Sequence, residues 1–150
     1  MASPIRLRVF LASPGDVGEE RAIAREILSQ LPYDALVGWQ VVFEVVAWDQ
    51  PRSGPPLLAT ITPQAAIAAG LPKPSECDVV VVILWSRMGT PLPDSYRKPD
   101  GTQYRSGTEW EYLDARAAAK ESDTPIVLVY RRTEPCPLDS DAPQYQERLS

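Results

Sequence analysis

The chain has 150 residues, of which 44% are hydrophobic, with a formal net charge of −5, two cysteines and no histidine. This length supports one domain with a real core and is too short for two ordinary domains. The acidic balance and the scattered Arg and Lys disfavour a nucleic-acid surface, and the lack of histidine excludes Ser-His and Cys-His dyads and any His-ligated metal.

The cysteines and the apolar runs indicate the compartment. Cys77 and Cys136 are too few for a thiolate metal site, and Cys77 precedes a strongly apolar segment, where a free buried thiol is the simpler interpretation. The longest apolar run, Val79 to Trp85, is far too short for a membrane span, and the N-terminus has no signal-peptide pattern. We therefore expect a cytoplasmic protein with reduced thiols, no metal and no membrane contact.

Apolar patterning predicts four strands in chain order. Ile5 to Leu11 first alternates and then becomes wholly apolar, as a strand does when it enters a buried sheet. Trp39 to Val46 is rich in Val, Phe and Trp, which favour strands. Val79 to Trp85 is apolar on both faces, which is typical of a central parallel strand. Ile126 to Tyr130 predicts a fourth buried strand.

Helical patterns separate these strands. A first helix follows the turn Ser13 to Asp16, and Asp16-x-x-Glu19 has the spacing of its capping box. Thr62-Pro63 has the N-cap and N1 residues of a short second helix, which Gly70 ends. The apolar stripe of the first helix is predicted to comprise Ile23, Ala24, Ile27, Leu28 and Leu31.

A third helix opens with two carboxylates in its first turn, where the helix dipole favours anions. Both Ser106-x-x-Glu109 and Thr108-x-x-Glu111 have the spacing of a capping box. At about 100° per residue the two carboxylates project roughly 200° apart, so at most one faces a cleft at the strand ends. The stripe predicted to pack on the sheet comprises Trp110, Leu113 and Ala117.

Alternating strands and helices at this spacing predict a parallel sheet covered on both faces. The expected fold is α/β, a flavodoxin-like three-layer domain over residues 1–132 with strand order 2-1-3-4. The ligand crevice of that order lies between the C-terminal ends of the first and third strands. No G-x-G-x-x-G follows the first strand, which argues against a Rossmann dehydrogenase.

Two loops and the C-terminal segment have their own predictions. Met88 to Arg105 is long, polar and aperiodic, which predicts a lid, a binding loop or disorder. The proline-rich loop Trp48 to Pro56 suits an interface. Residues 133–150 form a tail or the start of a linker, and Gln144 to Ser150 has the pattern of a helix start. We therefore expect a downstream module in a longer protein.

Three segments carry a resemblance to a known family. They are V-F-L-A-S-P-G-D-V-G-E-E-R (Val9 to Arg21), V-V-V-V-I-L-W-S-R-M-G-T-P (Val79 to Pro91) and R-S-G-T-E-W-E (Arg105 to Glu111). Together they resemble the N-terminal TIR-like domains that precede NACHT, TPR or WD-repeat regions in bacterial and animal signalling proteins. The resemblance implies a flavodoxin-like fold and kinship with TIR, SEFIR and nucleoside deoxyribosyltransferase domains.

The resemblance also implies a site. In catalytic TIR domains and in the deoxyribosyltransferases, a glutamate on the corresponding helix assists cleavage of an N-glycosidic bond. The deoxyribosyltransferase pattern G-T-x-x-E falls on Gly107, Thr108 and Glu111. Glu111 is the first choice for the catalytic carboxylate and Glu109 the reserve. The candidate substrate contacts are Ser13, Gly15, Trp48, Trp85, Arg87 and Thr108; helix capping, core packing and solvated charge are the competing interpretations of these residues.

The expected function is an NAD glycohydrolase in bacterial defence or signalling, with NAD as substrate and no cofactor. Loss of neutral nicotinamide from a cationic ring needs little protonation, which suits a chain without histidine. The resemblance implies activity in a homo-oligomer, controlled by a downstream NACHT, TPR or WD-repeat module. Two alternatives remain open: a non-catalytic interaction module that assembles through Trp48 to Pro56, and base exchange or hydrolysis of nucleosides or nucleotides.

Overall fold

The computed structural model of the protein describes residues 3–14, 17–47, 63–86, 92 and 95–135. Its strands are β1 (Ile5–Ala12), β2 (Val41–Val46), β3 (Val79–Leu84) and β4 (Ile126–Arg131). All neighbouring pairs are parallel, and the order in the sheet is β2-β1-β3-β4. The predicted α/β flavodoxin-like fold and its strand order are confirmed.

Three α-helices connect the strands: α1 (Gly18–Gln30), α2 (Pro63–Ala68) and α3 (Gly107–Ser122). Successive side chains of a strand point to opposite faces of the sheet, and β1 divides the core in this way. Val9 and Leu11 form one cluster, against which Ala24 and Leu28 of α1 pack. Phe10 and Ala12 form the other, which includes Ala66 of α2 and Ala115 of α3. The helices therefore cover both faces of the sheet, in three layers.

Two strand predictions differ from the structure. Trp39 lies before β2 with a positive φ of 64°, and its ring packs edge-on against Tyr33 with the centroids 4.3 Å apart. The prediction that the fourth strand is buried is wrong, because β4 lies at an edge of the described sheet and has one pairing neighbour there. Most of its side chains are exposed, including Ile126 and Tyr130 at 58% and 57%.

The buried face of α1 also differs from its prediction. Ala24 and Leu28 pack on the sheet, whereas Ile23 and Ile27 are 55% and 52% exposed. The helix is rotated so that the isoleucines lie at the flank of the buried stripe.

The side chains of β4 alternate between the two faces of the sheet. Val127 packs on the α3 face, so its neighbours in β4 lie on the α1 face. That face carries an exposed apolar set of Ile23, Ile27, Ile126, Leu128 and Tyr130.

The sheet-facing stripe of α3 is likewise displaced from its prediction. Thr108 and Ala115 are buried, whereas Ala117 is exposed. Trp110 does pack against the core, from a half-buried position.

The ends of α2 match their prediction. The helix begins at Pro63, and Gly70, just after its last turn, has a φ of 77°. The predicted N-cap, Thr62, lies outside the described residues. Among the described helices, none combines the length and the apolar character needed to cross a bilayer.

Candidate functional site

The C-terminal ends of β1 and β3 are adjacent at the centre of the sheet. From β1 the chain passes through α1 to β2 on one side, whereas β3 and β4 lie on the other side. The strand order therefore reverses between β1 and β3. In open α/β sheets, ligands bind outside the carboxyl ends of the strands at such a reversal.

Ser13, the first residue after β1, is bound by an arginine of α1. The Ser13 hydroxyl oxygen accepts hydrogen bonds from Nε and Nη2 of Arg21, at 2.7 Å and 2.5 Å. Its carbonyl oxygen accepts a third from Nη2 at 2.9 Å. These bonds fix the guanidinium in the first turns of α1 at the C-terminal edge of β1.

Glu111 approaches the same edge from the opposite layer. It shares the sheet-facing stripe of α3 with Thr108 and Ala115, at i, i+3 and i+7 spacing, and both neighbours are buried. Burial raises the pKa of the Glu111 carboxyl group from its ordinary value near 4.5 to about 8, while the charge of Arg21 acts to lower it. At neutral pH the carboxyl group therefore holds its proton for most of the time.

Two arginines one turn apart contribute the positive charge of α1. Burial lowers the pKa of Arg21, the charge of Arg25 lowers it further, and Glu111 acts to raise it. Burial also lowers the pKa of Arg25. Guanidinium groups stay protonated at physiological pH despite such shifts. The candidate site is therefore a half-buried cation on α1 that faces a titratable carboxyl group on α3.

Arg21 was not singled out by the sequence patterns, although it ends the first segment of the family resemblance. One signal could have found it. The N-terminus of a helix disfavours cations, and Arg21 is the fourth residue of α1. A cation placed there needs compensation from another part of the fold, which the hydroxyl and carbonyl oxygens of Ser13 supply.

Glu109 lies in different surroundings from Glu111. Its backbone N–H donates to the Ser106 hydroxyl oxygen at 3.1 Å, so Ser106 is the N-cap of α3. Its carboxylate accepts from the Arg105 backbone N–H at 2.6 Å and pairs with Lys98. Thr108 lies inside the helix, so the capping box predicted at Thr108 does not form. The two carboxylates do project to different surroundings, as their spacing predicts.

Part of the long loop before α3 is ordered by these contacts. Arg97 and Gln103 form an antiparallel bridge, and the Lys98 backbone N–H donates to the Thr102 carbonyl oxygen at 2.8 Å. The Gln103 amide donates to the carbonyl oxygen of Leu92, whose side chain is buried. Residues 95–105 therefore form a turn that the Lys98–Glu109 ion pair holds against the start of α3.

Trp85, a predicted stacking residue, follows β3. The Arg132 guanidinium lies 4.0 Å from the centroid of its ring, and its Nε1–H donates to the Glu134 carbonyl oxygen at 2.8 Å. One face of the ring is thus covered by a cation, and a stacking ligand could use the other face.

Several predicted residues lie outside the described part of the chain. They are the candidate contacts Gly15, Trp48 and Arg87, Asp16 of the first predicted capping box, and the loop Trp48 to Pro56.

Two comparisons with known proteins were made, and neither found a match. No family model matches the chain, and no curated protein matches it.

Within the described residues, no group of three or more Cys, Asp or Glu side chains could hold a metal ion. Cys77 is buried and its pKa is raised to about 12, mainly by burial, so it is a poor nucleophile. Glu111, Arg21 and Ser13 are the described residues that carry the candidate site.

Proposed function

We propose that the protein cleaves the N-glycosidic bond of NAD and releases nicotinamide, with Glu111 as the catalytic carboxylate. The observation that supports this proposal is the buried Glu111 carboxyl group, which faces the charge of Arg21 at the reversal point of the sheet. A titratable group whose pKa is strongly shifted by burial and by one charged partner is characteristic of functional sites.

The charge of the substrate is what makes a buried carboxyl group useful here. The nicotinamide ring of NAD is cationic, and a cation near Glu111 favours the ionised carboxylate, so substrate binding lowers the pKa of Glu111. The ionised carboxylate then stabilises the positive charge that develops on the ribose. The bond between C1′ and the ring nitrogen breaks, its electron pair leaves with neutral nicotinamide, and a water oxygen bonds to C1′ as its proton passes to solvent.

Ser13 and Arg21 would bind the rest of the substrate in this proposal. The Ser13 hydroxyl oxygen accepts from Arg21, which leaves its own proton able to donate to a ribose oxygen or a phosphate oxygen. Arg21 supplies a fixed positive charge to a diphosphate and holds Ser13 in place.

Nicotinamide release tests this function directly. Purified protein is incubated with NAD at low and high protein concentration, and free nicotinamide is measured by chromatography. We expect release by the wild type and loss of release in Glu111→Gln, which keeps the size of the side chain and removes its charge. Glu121→Gln is the matched control on the same helix, because Glu121 is exposed near the far end of α3.

A second reaction is supported by the same raised pKa. A protonated Glu111 can give its proton to a neutral leaving base, as hydrolysis or base exchange of a nucleoside or nucleotide requires. The two roles differ in pH dependence. At substrate concentrations well below KM the rate reports the pKa of the free enzyme. Release that rises with pH through about 8 then indicates the ionised carboxylate and favours NAD cleavage, whereas turnover of a nucleoside that falls over the same range indicates the acid.

We also propose that activity belongs to an assembled form in the cytoplasm, in bacterial defence or signalling, with a NACHT, TPR or WD-repeat module downstream. The support is the family resemblance and the exposed apolar set on the α1 face of the sheet, since clustered apolar side chains suit contacts between proteins. The same surface supports the alternative of a non-catalytic interaction module. Specific activity that rises with protein concentration favours the assembled enzyme; inactivity toward NAD at every concentration favours the module.

A further inference from the structure

A second group of charged residues lies at the C-terminal edge of β3 and β4. Arg132, the first residue after β4, donates its backbone N–H to the Leu84 carbonyl oxygen at 2.8 Å, which continues the pairing of β3 with β4. Its Nη1 donates to Oε1 of Glu20 on α1 at 2.7 Å, and its guanidinium stacks on Trp85. Arg132 therefore joins the end of the sheet to the first turn of α1.

The first turn of α1 begins at Val17, its N-cap residue, whose side chain is buried in the core. Among the described residues no side chain caps the helix start with a hydrogen bond. Uncapped helix ends fray, because their first N–H groups have no partner. Two consecutive residues replace the cap: Glu20 bonds to Arg132 and Arg21 bonds to Ser13. The helix start is thereby fixed to β4 on one flank and to β1 on the other.

The Glu20 carboxylate depends strongly on Arg132. One oxygen accepts from the guanidinium, and the other, Oε2, is buried without a hydrogen-bond partner in the described structure. A half-satisfied buried carboxylate is costly, so its position is set by the one cation that compensates it. Loss of that pair would release both Glu20 and the turn that contains it.

We propose that Glu20 and Arg132 are positioning residues, which hold the first turn of α1 so that Arg21 stays bonded to Ser13 and keeps its charge directed at Glu111. The consequence for turnover rests on the proposed function, whereas the effect on the ionisation of Glu111 does not. If the first turn loosens, Arg21 moves away, and Glu111 loses the positive charge that opposes the effect of its burial.

The sign of the change separates positioning from a direct charge effect. Glu111 faces Arg21 from α1, and Arg25 and Glu20 are the charged neighbours of Arg21 on that helix. Removal of the negative charge of Glu20 would, by direct field alone, lower the pKa of Glu111, because a nearby anion opposes ionisation. Loss of Arg21 from the site raises that pKa. The two effects of Glu20→Gln are therefore opposite in direction.

The experiment follows the ionisation of Glu111 without substrate. The carboxyl carbon of Glu111 is assigned by comparison with Glu111→Gln, and its chemical shift is followed against pH by NMR in the wild type, in Glu20→Gln and in Arg132→Lys. Arg132→Lys keeps the charge and removes the planar donor pair and the stacking. Glu44→Gln is the matched control, because it breaks the ion pair of Glu44 with Arg8 on the sheet, away from α1.

We expect the titration midpoint of Glu111 to rise in Glu20→Gln and in Arg132→Lys, by roughly one pH unit, the lower end of what a neighbouring arginine takes from a carboxyl pKa. Glu44→Gln should leave it unchanged. An unchanged or lowered midpoint in folded Glu20→Gln overturns the proposal; if that variant does not fold, an unchanged midpoint in Arg132→Lys overturns it instead. Absence of NAD cleavage by the wild type would overturn the proposed function and leave this result intact.

Discussion

Arg21 and Glu111 lie on helices that cover opposite faces of the sheet, yet the charge of Arg21 acts on the Glu111 carboxyl group. Arg21 belongs to α1, which packs with Val9 and Leu11, and Glu111 belongs to α3, which packs with Phe10 and Ala12. Ser13 holds the guanidinium at the end of β1, within range for its charge to act on the Glu111 carboxyl group. A cation and a desolvated acid are therefore brought together where the sheet no longer separates its two layers.

The stability of the protein should depend on pH through Glu111. Its pKa is about 8 in the folded protein and near 4.5 ordinarily, so between these values the folded state holds a proton that the unfolded chain releases. The free energy of unfolding then falls as pH rises through this window, by up to about 1.4 kcal/mol for each pH unit that separates the two pKa values. Above the folded pKa the loss is complete.

Glu111→Gln should remove this pH dependence, because glutamine stays neutral. Thermal unfolding of the wild type and the variant from about pH 5 to about pH 9 measures the difference. The variant should gain stability relative to the wild type as pH rises. A difference in stability that is the same at every pH would instead mean that Glu111 does not titrate in this range.

Arg21→Gln should raise the pKa of Glu111, because the charge that favours the ionised carboxylate is lost. The expected rise is about one pH unit or more, and any activity that needs the carboxylate should move to higher pH. Arg25→Gln is the matched control, one turn along the same helix, and should change the Glu111 titration little. Equal rises in both variants would mean that general charge, and not the position of Arg21, sets the ionisation of Glu111.

Ser106→Ala should destabilise the protein by about 1 kcal/mol, since the Ser106 hydroxyl oxygen accepts the Glu109 backbone N–H at the start of α3. Ser122→Ala near the other end of this helix is the control, because the Ser122 hydroxyl donates back to the Ala118 carbonyl oxygen, an interaction that slightly disfavours a helix. Denaturant unfolding compares the two. Equal losses of stability would argue against the Ser106 cap.

Residues 95–105, the described part of the loop before α3, are expected to exchange their amide protons more slowly when ligand is bound. The Lys98–Glu109 ion pair and the hydrogen bond from the Arg105 backbone N–H to Glu109 tie this segment to α3. Lys98→Ala removes the first of these ties and should speed amide exchange between residues 96 and 103. Hydrogen exchange measured with and without NAD provides the check. Slow exchange in this segment that neither NAD nor Lys98→Ala alters would contradict its role as a lid.

The strand order could be predicted because each strand carries its own periodicity and parallel crossovers have one hand. Burial was harder to predict. Ile23 and Ile27 are as apolar as Leu28, but the rotation of α1 is set by how it packs on β1, which no local pattern contains. The exposure of β4 depends on its place at the edge of the described sheet, and its apolar residues alone predict the opposite.

Only some residues of the candidate site could be proposed from the sequence, because sequence patterns are local. Ser13 and Glu111 could be proposed because each follows a recognisable boundary, the end of a strand or the start of a helix. Arg21 and Arg132 act on partners far away in sequence: Glu111 for Arg21, and Glu20, 112 positions away, for Arg132. Such pairs arise from the packing of layers, so the sequence can mark Arg21 as a cation at an unfavourable place in its helix but does not identify its partner.

The central claim is that an ionised Glu111 assists cleavage of NAD, and the pH profile of nicotinamide release tests it most directly. Release is measured from about pH 6 to about pH 9 at high protein concentration, with wild type and Glu111→Gln side by side. The account predicts a rate that increases with pH and reaches its plateau above the pKa of Glu111, and a variant without activity over the whole range. Equal release by Glu111→Gln, or no release by the wild type at any pH and concentration, would contradict it.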